Sequence, residues 1–425
     1  MADPSDTNRL PLYRAVQILD ALPVETVPPP LAYDAIVVEE PARRATPPPL
    51  STDFSPRVGF VRRTYRGVAS LLEWLFGAAS LVVGLAVLAA LPLLQFLSLG
   101  YLLEAGACVA RSGRLRDGFI GVRLAARLGG VVLGGWLLLW PVRFVADLAR
   151  AAQVIDPGGE AASRWRFWLL VLIAATALHV GAACARGGRL RYFLWPFNVV
   201  WLLRRLFRGG YLAEARDAVW DVTMSLRLPY YFWLGFRGFV AALAWLVIPV
   251  SLLAAGRGAN PLAPLVGFLG ALLLVAVLLY LPFLQLRLAE VGRLSAAFAV
   301  GAVRRDYARA PWAFCAAFVV TLLSSLPLYL FKIEMMPRDA AWLAAVVFIV
   351  FIFPARLMTG WAVGRSHRRA VPRHWFFRWT GRLPLLPAVL FYVLVVYFTQ
   401  FTSWNGIWSL YEQHAFTLPV PFFGM

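Results

Sequence analysis

The sequence predicts an all-α membrane protein, a polytopic bundle of about eight transmembrane helices. Hydrophobic residues make up 60% of the 425 residues, and the mean hydropathy is +0.69, well above that of soluble domains. A helix needs about 20 apolar residues to cross a hydrocarbon core of about 30 Å. Such long unbroken runs differ from the alternating strands of a membrane β-barrel. Apolar runs of the required length occur near residues 75–96, 128–146, 166–185, 231–254, 264–285, 312–331, 341–362 and 384–402.

The first element along the chain is a tail, residues 1–66, rich in proline and acidic side chains. A segment of this composition buries too little apolar surface to offset its loss of conformational entropy, so we expect it to be disordered. Two short apolar pieces within it leave open that it binds a protein partner. The other predicted parts are a first four-helix repeat at 67–254 with a cytoplasmic insertion at 186–227, a second four-helix repeat at 255–402, and a short aromatic C-terminal tail at 403–425.

Landmarks shared by the two halves predict that the membrane part is a tandem four-plus-four repeat. Leu91-Pro92-Leu93-Leu94-Gln95 in the first run recurs as Leu281-Pro282-Phe283-Leu284-Gln285 in the fifth. Arg227-Leu228-Pro229 before the fourth run recurs as Arg382-Leu383-Pro384 before the eighth. Matching landmarks in the same order indicate a duplicated unit.

Arginine predicts the orientation of the bundle. Only Lys332 among the 41 basic residues is a lysine. Connections after the first, third, fifth and seventh runs are rich in arginine, whereas those on the opposite side carry few basic residues. The positive-inside rule therefore places the arginine-rich connections in the cytoplasm, and we expect a multipass protein of the bacterial inner membrane. The formal charge of +19 then reflects orientation and contact with lipid headgroups rather than nucleic-acid binding.

The first run conflicts with this scheme. A single crossing would place the N-terminal tail outside, yet Arg57, Arg62, Arg63 and Arg66 directly precede the run and favour the inside. Residues 68–110 are interrupted by Pro92, so they could instead form a hairpin of two short helices with both flanks in the cytoplasm. The repeat favours the single crossing, because the matching stretch after Pro282 carries charges and looks interfacial.

A few polar residues within the apolar runs are candidates for a substrate path. Gln95 and Gln285 occupy matched places in the two halves, where each either bonds to a neighbouring helix or lines a path. His179, Arg143 and Arg356 complete the set, since an intramembrane charge is costly and often functional. Arg143 is near enough to an end to reach the interface, and Arg356 could pair with Glu73 or Glu104. Prolines that remove a backbone donor predict helix breaks at Pro92, Pro141, Pro282, Pro327 and Pro354.

Signatures of enzymes and of cofactor or metal sites are missing from the sequence. There is no phosphate-binding GxxxxGK[ST] loop, no HExxH pair and no GxSxG elbow, and the three cysteines lie far apart. We therefore predict no catalytic residue, no cofactor and no metal. The segment from Leu99 to Glu104 resembles multipass bacterial families known only as domains of unknown function, and this resemblance implies no activity.

Two function classes are consistent with these observations. In the first, the protein is transport-type, with a substrate path between the two halves, and its arginine-rich face favours an anionic or lipid-headgroup substrate. In the alternative, it is a non-catalytic scaffold that organises partners through the tail and the arginine-rich face, including the insertion at 186–227. An intramembrane enzyme is a third, less favoured interpretation.

Overall fold

The computed structural model describes residues 60–417 except 208, 331–340, 404–405 and 414–415. Of the described residues 84% are helical and none lies in a strand, which confirms the all-α class. The helices are α1 (Phe60–Ala90), α2 (Gln95–Ser112), α3 (Val122–Ile155), α4 (Glu160–Ala185), α5 (Leu190–Phe193), α6 (Asn198–Phe207), α7 (Tyr211–Ser225), α8 (Leu228–Ala255), α9 (Ala263–Leu278), α10 (Leu281–Val291), α11 (Val300–Arg309), α12 (Pro311–Leu330), α13 (Ala341–His367), α14 (Trp375–Thr380) and α15 (Leu385–Thr402). Short 3₁₀ turns span Leu115–Gly118, Leu294–Phe298 and Gly406–Tyr411.

Most of these helices fit a multipass membrane protein. Seven stretches are long and apolar enough to cross a membrane: α1, α3, α4, α12, α13, and the stretches Ala213–Ala255 and Trp375–Thr402, which contain α8 and α15. Helices α9 and α10 meet the same criteria together, as a pair bent by 42°. The resulting number of seven to eight agrees with the predicted number of about eight. The predicted tail lies outside the described residues as far as residue 59, and α1 begins at Phe60, before the predicted end of the tail.

The region 68–110, which the sequence left open, is a helical hairpin. The Ser98 hydroxyl on α2 donates a hydrogen bond of 2.8 Å to the carbonyl of Leu85 on α1. A continuous helix would separate residues 13 positions apart by about 20 Å, so the chain must reverse between them. The reversal lies at Leu91–Leu94, where Pro92 restricts the backbone and Leu93 takes a positive φ of 65°. The single crossing that the repeat favoured is therefore not the structure of this region.

Helix α2 is the centre of the bundle and packs against α1, α8, α10 and α13. Two glycine contacts allow its backbone to approach its neighbours closely. A Cβ on Gly100 would lie 1.8 Å from the carbonyl oxygen of Tyr231 on α8, and one on Gly360 of α13 would lie 2.1 Å from the carbonyl oxygen of Gly106. Small residues at such crossings let membrane helices gain van der Waals contact.

The two predicted halves pack differently. The most apolar stretches of α12 and α13 are each 56% buried, whereas those of α3 and α4 are each 11% buried. A local likeness exists at the ends of α2 and α10: Gly113 and Gly292 have φ of 72° and 74°, and each is followed by an extended arginine and a 3₁₀ turn. This likeness covers only a few residues, so the four-plus-four repeat stays a prediction.

Prolines at the five predicted breaks occupy two kinds of position. Pro92 lies in the reversal between α1 and α2, and Pro282 lies in the first turn of α10, just after the 42° bend. By contrast, α3 continues through Pro141, α12 through Pro327 and α13 through Pro354. A proline removes one hydrogen bond, and the remaining backbone hydrogen bonds of a long helix keep it continuous across that gap.

Two of the arginine-rich connections, residues 287–309 and 365–382, meet at one end of the bundle, which we call the arginine-rich end. Arg369 donates from Nη1 to the carbonyl of Arg309 at 3.2 Å, and the backbone nitrogen of Arg373 donates to the carbonyl of Ala308 at 2.8 Å. Arg237 on α8 likewise donates to the carbonyl of Gly292 at 2.9 Å. Since α1 and α2 form a hairpin, the start of α1 points towards this same end.

Candidate functional site

The C-terminal segment, meaning the described residues 406–413, 416 and 417, fills the interior of the bundle. Its 3₁₀ turn packs against α15 and α8. The side chains of Leu410, Gln413 and Phe416 are completely buried. Leu410 and Phe416 belong to the same apolar core as Val389 of α15 and Phe283 of α10. The predicted aromatic C-terminal tail is therefore, in these residues, part of the core.

Three buried polar residues lie around this segment, Gln285 on α10, Tyr329 on α12 and Tyr392 on α15. Together with Gln413 of the segment itself they form what we call the polar centre. The Tyr392 hydroxyl donates to Oε1 of Gln413 at 3.1 Å, and it lies 2.7 Å from the hydroxyl of Tyr329. Tyr392 is near the middle of α15, so the polar centre is enclosed well inside the bundle.

Gln285 joins the two predicted halves through its amide nitrogen. Nε2 donates to the carbonyl of Phe416 at 2.6 Å and to the carbonyl of Gly238 on α8 at 3.2 Å. Helix α8 belongs to the first predicted repeat and α10 to the second. Gln285 therefore connects one helix from each predicted repeat, while the repeat and the path between its halves stay predictions.

Within the described part of the chain, some buried polar atoms near the C-terminal half have no hydrogen-bond partner. Oε1 of Gln285 is one, and both amide atoms of Gln400 on α15 are others, although these side chains are 0% and 2% exposed. A buried amide group without a partner costs about 1–3 kcal/mol.

The structure places the other candidate path residues on α2, α3, α4 and α13. Gln95 begins α2 just after the reversal, so it does not match the place of Gln285 inside α10. His179 on α4 bonds through Nε2 to the carbonyl of Phe193 at 3.0 Å, and Arg143 on α3 is exposed. Arg356 is 3% exposed on α13, where that helix crosses α2.

Glu104, one of the two carboxylates suggested as a partner of Arg356, forms an ion pair with Arg111. Glu104 on α2 accepts a hydrogen bond of 2.5 Å from Arg111, about two helical turns further along, and one of 2.7 Å from the hydroxyl of Tyr230 on α8. Arg111 is closer in sequence and exposed enough to reach the carboxylate without crossing the bundle. The Tyr230 bond ties α2 to α8 near the arginine-rich end, and the whole arrangement is a structural contact.

Sequence reasoning missed Tyr329, Tyr392 and Gln413. The tyrosines lie within apolar runs and were counted as part of them, although a buried tyrosine usually needs a partner for its hydroxyl. A useful signal was the absence of charged side chains from residues 402–411, which is unusual for an exposed tail. Among the described residues no group of three or more His, Cys, Asp or Glu side chains could hold a metal ion.

The chain has no matching protein-family model, no similar curated protein and no similar solved structure. Any assignment of function therefore depends on the chain's own helices and on its polar centre.

Proposed function

We propose that the protein is a transport-type membrane protein whose substrate path runs through the polar centre and is closed by the C-terminal segment. The observation that carries the proposal is the hydrogen bonding of Gln285 to Phe416 and to Gly238, which joins both halves to a non-spanning segment inside the bundle. Backbone that is not helical occurs at membrane depth only where protein buries it or where it lines a cavity. Transporters use such interiors for their binding sites.

The chemistry of the polar centre suggests how a substrate would be recognised. Its side chains are amides and phenols, which donate and accept hydrogen bonds without net charge. When the segment leaves, the donors of Gln285 and Tyr392 and the unpartnered Oε1 of Gln285 become available to a solute. The segment hydrogen-bonds to these groups in this structure, and we assign this arrangement to the closed state of the proposed path.

Cysteine labelling tests the path. In a background without Cys108, Cys184 and Cys315, a cysteine replaces Gln285 and is exposed to a water-soluble thiol reagent in proteoliposomes. We expect slow labelling in the full chain and rapid labelling once residues 406–425 are deleted, because the segment covers this position. The matched control is Ala317→Cys, which is completely buried in the apolar core on α12 and should stay protected in both chains.

The same proteoliposomes allow a transport measurement. Deletion of residues 406–425 should speed the entry of small polar solutes such as glycerol, measured by light scattering after osmotic shock. Protection of residue 285 in the truncated chain, with residue 317 also protected, would contradict the path. Labelling of residue 317 would instead show that the deletion had loosened the whole core, and the milder change Phe416→Ala would then decide between the two.

A further inference from the structure

A second cavity lies at the arginine-rich end, away from the polar centre. It has a volume of about 340 Å³ and is formed by the start of α12, the last turns of α13 and the segment that leads into α14. Three arginines, Arg365, Arg369 and Arg373, line one part of it, and the aromatic rings of Trp312, Trp361 and Phe377 line another. A charged part and an aromatic part in one cavity indicate an amphiphilic ligand.

The three guanidinium groups carry positive charge that no carboxylate of the described residues offsets in an ion pair. Aromatic rings contact two of the three groups instead. Arg365 lies over the Trp361 ring at 5.4 Å and Arg373 lies over the Phe377 ring at 5.5 Å. Partial burial, and then the charges of Arg373 and Arg365, lower the pKa of Arg369. This mutual repulsion is relieved when an anion binds between the three groups.

Contacts with α11 hold the segment in place before any ligand binds. Arg369 donates to the carbonyl of Arg309, and the backbone nitrogen of Arg373 donates to the carbonyl of Ala308. The Tyr307 hydroxyl also donates to the carbonyl of Arg378 at 2.9 Å. A site that is already ordered loses little conformational entropy on binding. The first turn of α12, whose N-terminal end carries a partial positive charge, adds to the field.

Exposed aromatic side chains place this cavity in the headgroup layer of the bilayer. Helix α14 is short, and its Trp375, Phe376 and Trp379 side chains are 61%, 53% and 58% exposed. Tryptophan and other aromatic rings concentrate at the membrane–water interface. The cavity also lies at the ends of the membrane-crossing helices α12 and α13. A lipid headgroup is therefore the anion that the cavity meets at the highest local concentration.

We propose that Arg365, Arg369 and Arg373 form a binding site for the phosphate headgroup of an anionic glycerophospholipid, with the aromatic rings against its glycerol and upper acyl chain. Guanidinium forks match phosphate oxygens in pairs, and basic pockets between membrane helices bind such headgroups. The site holds a lipid whether or not the polar centre conducts a substrate.

Native mass spectrometry of the full chain in detergent, titrated with phosphatidylglycerol, tests the site. We expect Arg365→Gln/Arg369→Gln/Arg373→Gln to weaken the tightest lipid site by about 10-fold or more. The matched control removes the same charge from exposed arginines outside the cavity, as Arg116→Gln/Arg123→Gln/Arg204→Gln, and should change affinity less than about twofold. Zwitterionic phosphatidylcholine should bind the wild type and the cavity variant equally.

Three results would overturn the proposal. One is an unchanged affinity in the cavity variant, and another is an equal loss in the control variant, which would assign binding to bulk charge. The third is arginine-dependent binding of free glycerol phosphate as tight as that of the lipid, which would make the ligand a soluble phosphate. If the triple variant does not fold, Arg369→Lys keeps the charge and removes the fork, and we expect it to weaken lipid binding by about threefold or more.

Discussion

Removing one oxygen atom from the polar centre should release the C-terminal segment. In Tyr392→Phe the ring, 1% exposed, keeps its packing, and only the hydroxyl that donates to Oε1 of Gln413 at 3.1 Å is lost. Gln413 is completely buried, so its oxygen loses this donor while it stays out of water. Leaving such an acceptor unsatisfied costs about 1–3 kcal/mol. Only the docked state carries this cost, because water reaches the amide once the segment has left.

That cost corresponds to a shift of about 5- to 150-fold from the docked towards the released segment. Hydrogen–deuterium exchange followed by mass spectrometry measures it directly. The backbone amides of Phe416 and Thr417 both donate to the carbonyl of Gln413, so their exchange reports the docked state. We expect exchange of the C-terminal peptide to accelerate by the same factor.

Tyr101→Phe is the matched control for this experiment. Tyr101 is 7% exposed on α2, and its hydroxyl donates to the carbonyl of Ile120 at 3.0 Å, without contact with the C-terminal segment. We expect general destabilisation there and unchanged C-terminal exchange. The reasoning is refuted if the segment exchanges equally in the wild type and in Tyr392→Phe, or equally fast in both variants.

Two further predictions concern stability. Gly100→Ala places a methyl group 1.8 Å from the carbonyl oxygen of Tyr231, so α2 and α8 must separate. We expect the free energy of unfolding to fall by about 1–3 kcal/mol, measured as a lower melting temperature in detergent. In the control Gly84→Ala the added methyl group meets no atom within 4 Å, so this variant should be neutral or slightly stabilising. Burial raises the pKa of Tyr307 to about 12, so the neutral phenol stabilises the fold below about pH 10 and this contribution declines between about pH 10 and 12. Tyr307→Phe should flatten that part of the alkaline stability profile, and an unchanged slope would contradict the assignment.

The α1–α2 hairpin shows where sequence reasoning stops. Pro92 marked the break correctly, and the sequence left both geometries open. A proline near a helix end is compatible with a bend, as at Pro282, or with a full reversal, as at Pro92. Leu93 decides between them by adopting a positive φ, which a leucine adopts only when surrounding contacts compensate for its strain. Those contacts, such as Ser98 with Leu85, are tertiary and leave no local pattern.

Gln285 shows the same limit for function. Its polar side chain within an apolar run was visible, and so was its alternative role of bonding to a neighbouring helix. Its partner, the carbonyl of Phe416, lies 131 residues away along the chain. No spacing rule connects two residues that are so far apart, and the backbone carbonyl of Phe416 carries no sequence signal.

By itself, the sequence determined that this protein is helical and multipass, with about eight membrane-crossing helices. These properties follow from the length and hydropathy of single segments, since each helix satisfies its own backbone hydrogen bonds before any helix packs on another. Tertiary structure alone decided the direction of α2, the burial of the C-terminal segment and the meeting of Arg365, Arg369 and Arg373 with Trp312. These features depend on contacts between segments that are distant in sequence. The energy of each contact depends on how the surfaces of both segments fit together, so neither segment alone predicts it.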